Sequence, residues 1–138
     1  NCKQTAVNNN IADKVTGYVS STINELPDNE VWDLVVANPP WNFSEQKAID
    51  GLGNISEDAI PNMMRILVDD NYSIHREFFQ NIKKHLTNDA DVYIIEGSRD
   101  PIFIILAIEG GLRLENIYPA PLSGKYVEFG GIFHFKPI

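Results

Sequence analysis

Cysteine, positive charge and long apolar runs are all scarce in this sequence. The single cysteine, Cys2, excludes an internal disulfide and with it the stapled architecture of small secreted domains. A reducing, cytoplasmic setting is the expectation. The three histidines are scattered and form no Cys/His spacing of a metal site, so no metal is expected. Lys and Arg number 11 against 19 Asp and Glu, a formal net charge of −8. A surface that negative repels phosphate backbones unless a local basic patch offsets it. The densest basic cluster, Lys83-Lys84-His85, is small. No apolar run reaches membrane-spanning length and no signal pattern opens the chain, so no membrane partner is expected. Internal repeats and low-complexity tracts are absent as well.

What is there suits one ordinary domain: 138 residues, 43% of them hydrophobic. Cys2 to Ala12 reads as the end of a helix, weakened by three consecutive asparagines, which compete for local backbone bonds. Val15 to Val19 is a short strand candidate, followed by a polar loop from Ser20 to Glu30 with its turn at Pro27-Asp28-Asn29. Ser56 to Asp69 holds a helix capped by Ser56, with a start that can slip to Pro61. Ser73 to Leu86 is a further helix, with Ser73 as N-cap and Ile74, Phe78, Ile82 and Leu86 as its apolar stripe, widened by Phe79. Thr87 to Ala90 reads as a turn and Val92 to Ile95 as a buried strand ended by Glu96-Gly97. Asp100-Pro101 opens a helix that stops at Gly110-Gly111. Leu112 to Tyr118 and Tyr126 to Phe135 are two closing strands, the second with a bulge at Gly130-Gly131. Strands alternating with helices predict an α/β layered fold with a mostly parallel sheet, and the closing pair predicts an antiparallel edge.

The chain is organised around Asp33-Leu34-Val35-Val36-Ala37-Asn38-Pro39-Pro40-Trp41. Leu34 to Ala37 is apolar on both alternating faces and reads as a fully buried strand. Pro39 stops it, having no N–H for a ladder, and Pro40 holds Pro39 extended, so the chain leaves as a stiff loop. Asn38 would stand at the carboxyl end of a buried strand, the edge where open parallel sheets bind ligands.

These nine residues resemble the Asn-Pro-Pro-aromatic motif of class I S-adenosylmethionine-dependent methyltransferases that act on amide or amine nitrogens. That group includes the release-factor glutamine methyltransferases, the adenine-amine DNA methyltransferases and several ribosomal RNA methyltransferases. The resemblance implies a Rossmann-like methyltransferase sheet, mostly parallel with an antiparallel last strand. His75-Arg76-Glu77-Phe78-Phe79 through Leu86 and Val92-Tyr93-Ile94-Ile95-Glu96 are similar to the helix and strand that follow the motif. Its first two strands, with the glycine-rich turn that meets the cofactor and the acidic residue that holds the ribose, have no counterpart here. Gly51-Leu52-Gly53 has no apolar strand before it and reads as a surface turn. Residues 1 to 138 are thus expected to form a single, incomplete domain: the C-terminal part of a longer protein, or one half of a split one whose other half is a complementary chain. Alone, they are expected to bind the cofactor poorly.

The resemblance also implies roles. Asn38 and Pro39 would be catalytic, their oxygens accepting the two hydrogens of the target nitrogen. Pro40 and Trp41 would bind substrate, and Asn38 and Ser21 would border the cofactor, S-adenosylmethionine. Ser20-Ser21 stands where the family often has an acidic residue near the adenine. The acidic charge favours a protein glutamine over DNA or RNA as acceptor. Two other classes stay open: a methyltransferase-like partner module without activity, and an unrelated α/β domain with a structural proline turn. Glu96 reads as solvated or as a substrate contact. His75, His85 and His134 read as surface or packing residues, and Trp32 as packing.

Overall fold

The computed structural model describes residues 2–41, 56–97, 100–119 and 130–138. The chain runs α1 (Cys2–Asn8), β1 (Trp32–Ala37), α2 (Ile60–Leu67), α3 (Ser73–Ile82), β2 (Leu86–Glu96), α4 (Pro101–Glu109), β3 (Leu112–Pro119) and β4 (Gly131–Pro137). Among the described residues the strands form one sheet in the order β1-β2-β4-β3. β1 and β2 are parallel; β4 runs antiparallel to both its neighbours and lies between them. The expected mixed sheet with an antiparallel last strand is therefore present.

Local chemistry sets several boundaries. The Asp100 carboxylate accepts the backbone N–H of Ile102 at 3.0 Å and Pro101 occupies the first turn of α4. The helix ends where Gly110 must be small: a Cβ there would lie 2.3 Å from the carbonyl oxygen of Phe79. α2 starts at Ile60, next to Pro61, so the later of the two expected starts is the real one.

One face of α3 and the inner face of α4 pack on the sheet. Phe79, Ile82, Phe103, Leu106, Val92, Ile94, Phe133 and Phe135 are buried together. Phe103 is at the centre, edge-to-face with Phe133 at 4.9 Å and with Phe79 at 5.5 Å, the preferred geometry for aromatic quadrupoles.

The structure departs from the sequence expectations at six places. Val15 to Val19 is not a strand: it is exposed extended chain, tied down where the Tyr18 hydroxyl donates to Glu30. A five-residue strand needs a neighbour to pair with, and none lies beside it among the described residues. β1 is not buried on both faces, since Leu34 is 59% and Val36 67% exposed while Val35 and Ala37 pack on the core. The expected turn at Thr87 to Ala90 is part of β2, at a register shift where Trp32 faces Leu86 but Leu34 faces Asp91. Its turn-like composition thus fills an irregularity inside the strand.

The bulge expected at Gly130-Gly131 lies instead on β3, between Leu114 and Asn116. Gly130 serves close approach, because a Cβ there would be 2.8 Å from the Glu96 carbonyl oxygen. The apolar stripe of α3 buries the expected Phe79 and Ile82, but at its start His75 is buried in place of Ile74, which is exposed. Ser73 is not the N-cap of that helix either; the cap position is Tyr72, with the capping bonds supplied from Asp69. The turn at Gly51-Leu52-Gly53 and the first residues of the last strand candidate, Tyr126 to Phe129, lie outside the described residues.

Candidate functional site

Ala37 pairs with Ile94, two residues before Glu96 closes β2. Asn38 therefore leaves the ladder at the carboxyl end of the parallel pair, on the same edge as Glu96. Asn38 is exposed there, while Pro39, Pro40 and Trp41 are half-buried. Sequence reasoning put Asn38 at the end of a strand and on an accessible edge, and both hold.

The far end of the loop is pinned. Trp41 forms a parallel bridge with Val68, and its carbonyl oxygen accepts the N–H of Asp69 at 3.1 Å. Asp69 then turns its carboxylate to the start of α3. One oxygen accepts from the Ser73 hydroxyl and the Ile74 N–H, each at 2.8 Å. The other accepts the His75 N–H at 2.9 Å and meets His75 Nδ1 at 2.6 Å. To reach this position the chain places Asn71 and Tyr72 in the left-handed region, at φ 54° and 56°. Such a backbone costs on the order of 1–3 kcal/mol per residue and persists where surrounding contacts over-determine it.

The other ring nitrogen of His75, Nε2, lies 3.0 Å from Glu96 Oε2. All three side chains are at most 1% exposed. Burial is the largest influence on His75 and works against its charge, but contacts with Glu96 and Asp69 outweigh it and raise its pKa above 6.5. Burial is also the largest influence on Asp69. The N–H groups of Ile74 and His75, the His75 ring and the Ser73 hydroxyl outweigh it and hold the carboxyl below 3.8. Glu96 thus departs from both roles expected of it, while His75 keeps the packing role and adds an ionic one. Glu96 is neither solvated nor open to substrate, and His75 is the centre of a buried ionic row. The local signal was Asp69 standing four residues before Ser73, a carboxylate placed to reach the first turn of α3.

Ser21 is exposed, and its N–H donates to Glu25 at 2.9 Å. The tethers of its segment run to the amino end of β2: Lys84 Nζ to Asn24 and Asp28 at 3.1 and 3.0 Å, and His85 Nδ1 to the Glu30 carbonyl at 2.8 Å. No hydrogen bond or ion pair among the described residues joins Ser21 to Asn38. Trp32 packs as expected, stacked on buried His85 at 4.9 Å. His134 stacks on Tyr93 at 4.4 Å and pairs with Asp91 at 2.6 Å. With Lys136, it holds the Asp91 carboxyl below 3.8. Among the described residues no group of His, Cys, Asp or Glu is arranged to hold a metal ion, and no helix is long and apolar enough to cross a membrane.

No protein-family model matches this sequence, and no curated protein does. Solved structures do match. One, the mitomycin 7-O-methyltransferase MmcR, has a TM-score of 0.57 at 12% identity, over 99% of this chain and 38% of that one. Another, a TehB-like SAM-dependent methyltransferase from Corynebacterium glutamicum, has a TM-score of 0.45 at 18% identity, over 94% of this chain and 62% of that one. This chain spans less than two thirds of the length of either. Parallel β1-β2, the inserted antiparallel β4 and the likeness to MmcR together give the chain a Rossmann-like sheet of the S-adenosylmethionine-dependent methyltransferase fold.

Proposed function

We propose that this chain is the acceptor side of an S-adenosylmethionine-dependent N-methyltransferase that acts on a planar amide or amine nitrogen, a protein glutamine in first place. What supports this most is Asn38, exposed at the carboxyl end of a parallel strand and followed by two prolines and a pinned tryptophan. An amide nitrogen attacks poorly because its lone pair is delocalised. Asn38 Oδ1 and the Pro39 carbonyl would accept its two hydrogens, turn the lone pair toward the methyl group and stabilise the positive charge that develops. Pro40 keeps that carbonyl in place, and Trp41 walls or stacks on the planar target.

S-adenosylmethionine would supply the electrophilic methyl group. The described residues fit the acceptor and not this donor. No glycine-rich turn follows a strand among them, and the tethers around Ser21 lead to the other end of the sheet. The donor cradle would come from a preceding half of the protein or from a complementary chain. The net charge of −8 supports a protein acceptor over DNA or RNA. That same lack of a cradle favours, as second reading, a methyltransferase-like partner module.

The test is transfer of labelled methyl groups by the full-length protein containing this chain, offered separated protein, DNA and RNA fractions. Label in protein, released as methylamine on acid hydrolysis, is the expected result. Label on adenine would replace the glutamine reading with the nucleic-acid one. No label in any fraction, with donor shown to bind, would leave the partner module.

A further inference from the structure

The Asn38–Trp41 loop is anchored twice. Its first end is the β1–β2 ladder, where Ala37 faces Ile94. Its second end is the Trp41 carbonyl on the Asp69 N–H. Asp69 in turn grips His75 by ring and backbone, and His75 reaches across to Glu96, the last residue of β2. A closed path therefore runs from β1 through the loop to α3 and back to the neighbouring strand. Two prolines make the loop stiff, so fixing Trp41 also fixes Asn38.

We propose that Asp69, His75 and Glu96 form a positioning clasp, in which His75 sets where Trp41, and through it the Asn38-Pro39 acceptor pair, stands over the carboxyl end of β2. His75 is 1% exposed and cannot meet a substrate itself, so it acts through the loop. Both of its ring nitrogens face carboxylates, and among the described residues these groups are not arranged to hold a metal ion. A neutral amide could not fill the same place equally well: two buried carboxylates need a cation between them.

Among the described residues, Asp69 and Glu96 are the charged neighbours of His75. Tyr72 lies edge-on at 5.6 Å, and Phe103 of α4 and Phe79 of its own helix pack against the ring without titrating. The raised pKa of His75 means the clasp is complete below about 6.5 and is lost as pH rises through the higher folded value. Asp69 sets the other limit. Its lowered pKa gives a contribution that is full above 3.8 and lost as pH falls through the lower folded value.

The link to transfer rests on the acceptor role proposed for Asn38, so the clasp is tested without an activity assay. The experiment is NMR of the 138-residue chain from pH 5 to 10. It follows the His75 ring nitrogens and the Trp41 indole N–H, the latter assigned with Trp32→Phe. The expected result is an imidazolium signature at His75 that persists above pH 6.5, with the Trp41 indole shifting at the same midpoint. In His75→Gln the Trp41 titration disappears and the Asp69 amide exchanges about tenfold faster, the equivalent of one weakened hydrogen bond. A Trp41 signal that stays still while His75 loses its proton, or that titrates unchanged in His75→Gln, would overturn the clasp. Should His75→Gln fail to fold, the wild-type titration decides alone.

Discussion

Replacing His75 with leucine is expected to cost about 3–5 kcal/mol of stability, the toll of leaving buried carboxylates without their cation. Leucine fits the aromatic surround of Tyr72, Phe79 and Phe103, so the loss is electrostatic and not a cavity effect. Asp69 and Glu96 are each 0% exposed at the side chain and have no water to turn to. Unfolding by urea at pH 7 reads the difference directly. Its pH dependence identifies the cause. In acid the wild type loses what the lowered pKa of Asp69 contributes, so the gap narrows as pH falls through that folded value. In alkali the wild type loses the charge on His75, and the gap narrows again. A gap that is flat with pH would assign the cost to packing.

Asn38→Ala is expected to lower methyl transfer by about 10²–10³-fold, the usual cost of removing one aimed dipole from a site where charge develops. Its urea midpoint should stay within the scatter of the wild type, because Asn38 is exposed and its side chain holds no bond to another described residue. The two variants thus separate the chemistry from the frame: one loses activity with the fold kept, the other loses stability first. The assay is run with the donor cradle present, whether it comes from the same protein or from a complementary chain. Near-normal transfer by Asn38→Ala there would remove the main support for the acceptor role.

Much of the frame was legible because it is local. Asp100-Pro101 and Gly110-Gly111 carry the start and stop of α4 in adjacent residues, and Asn38-Pro39-Pro40 carries the end of β1. Apart from the cap of α3, where nearby Asp69 was overlooked, the main failures are non-local. Val15 to Val19 has strand chemistry but no partner beside it, and pairing cannot be read from a segment alone. The continuous apolar run of β1 predicts two covered faces, whereas the described residues cover only one. His75 looked bland for a related reason. Its partners stand six residues before and twenty-one after it in the chain, and only the fold brings them together. The exchange at the start of α3 follows from the same fact. Two carboxylates draw His75 inward, and Ile74 is turned out to solvent.

The bare face of β1 has a consequence for colloidal behaviour. Leu34 and Val36 stand exposed on a strand whose outer edge has no partner strand among the described residues, a combination that favours sheet-to-sheet association. A net charge of −8 opposes it by keeping molecules apart. Added salt shortens the reach of that repulsion to about 8 Å at physiological strength and leaves the short-range apolar attraction intact. The isolated chain should therefore be most soluble in dilute buffer and should form scattering oligomers as salt is raised, the reverse of ordinary salting-in.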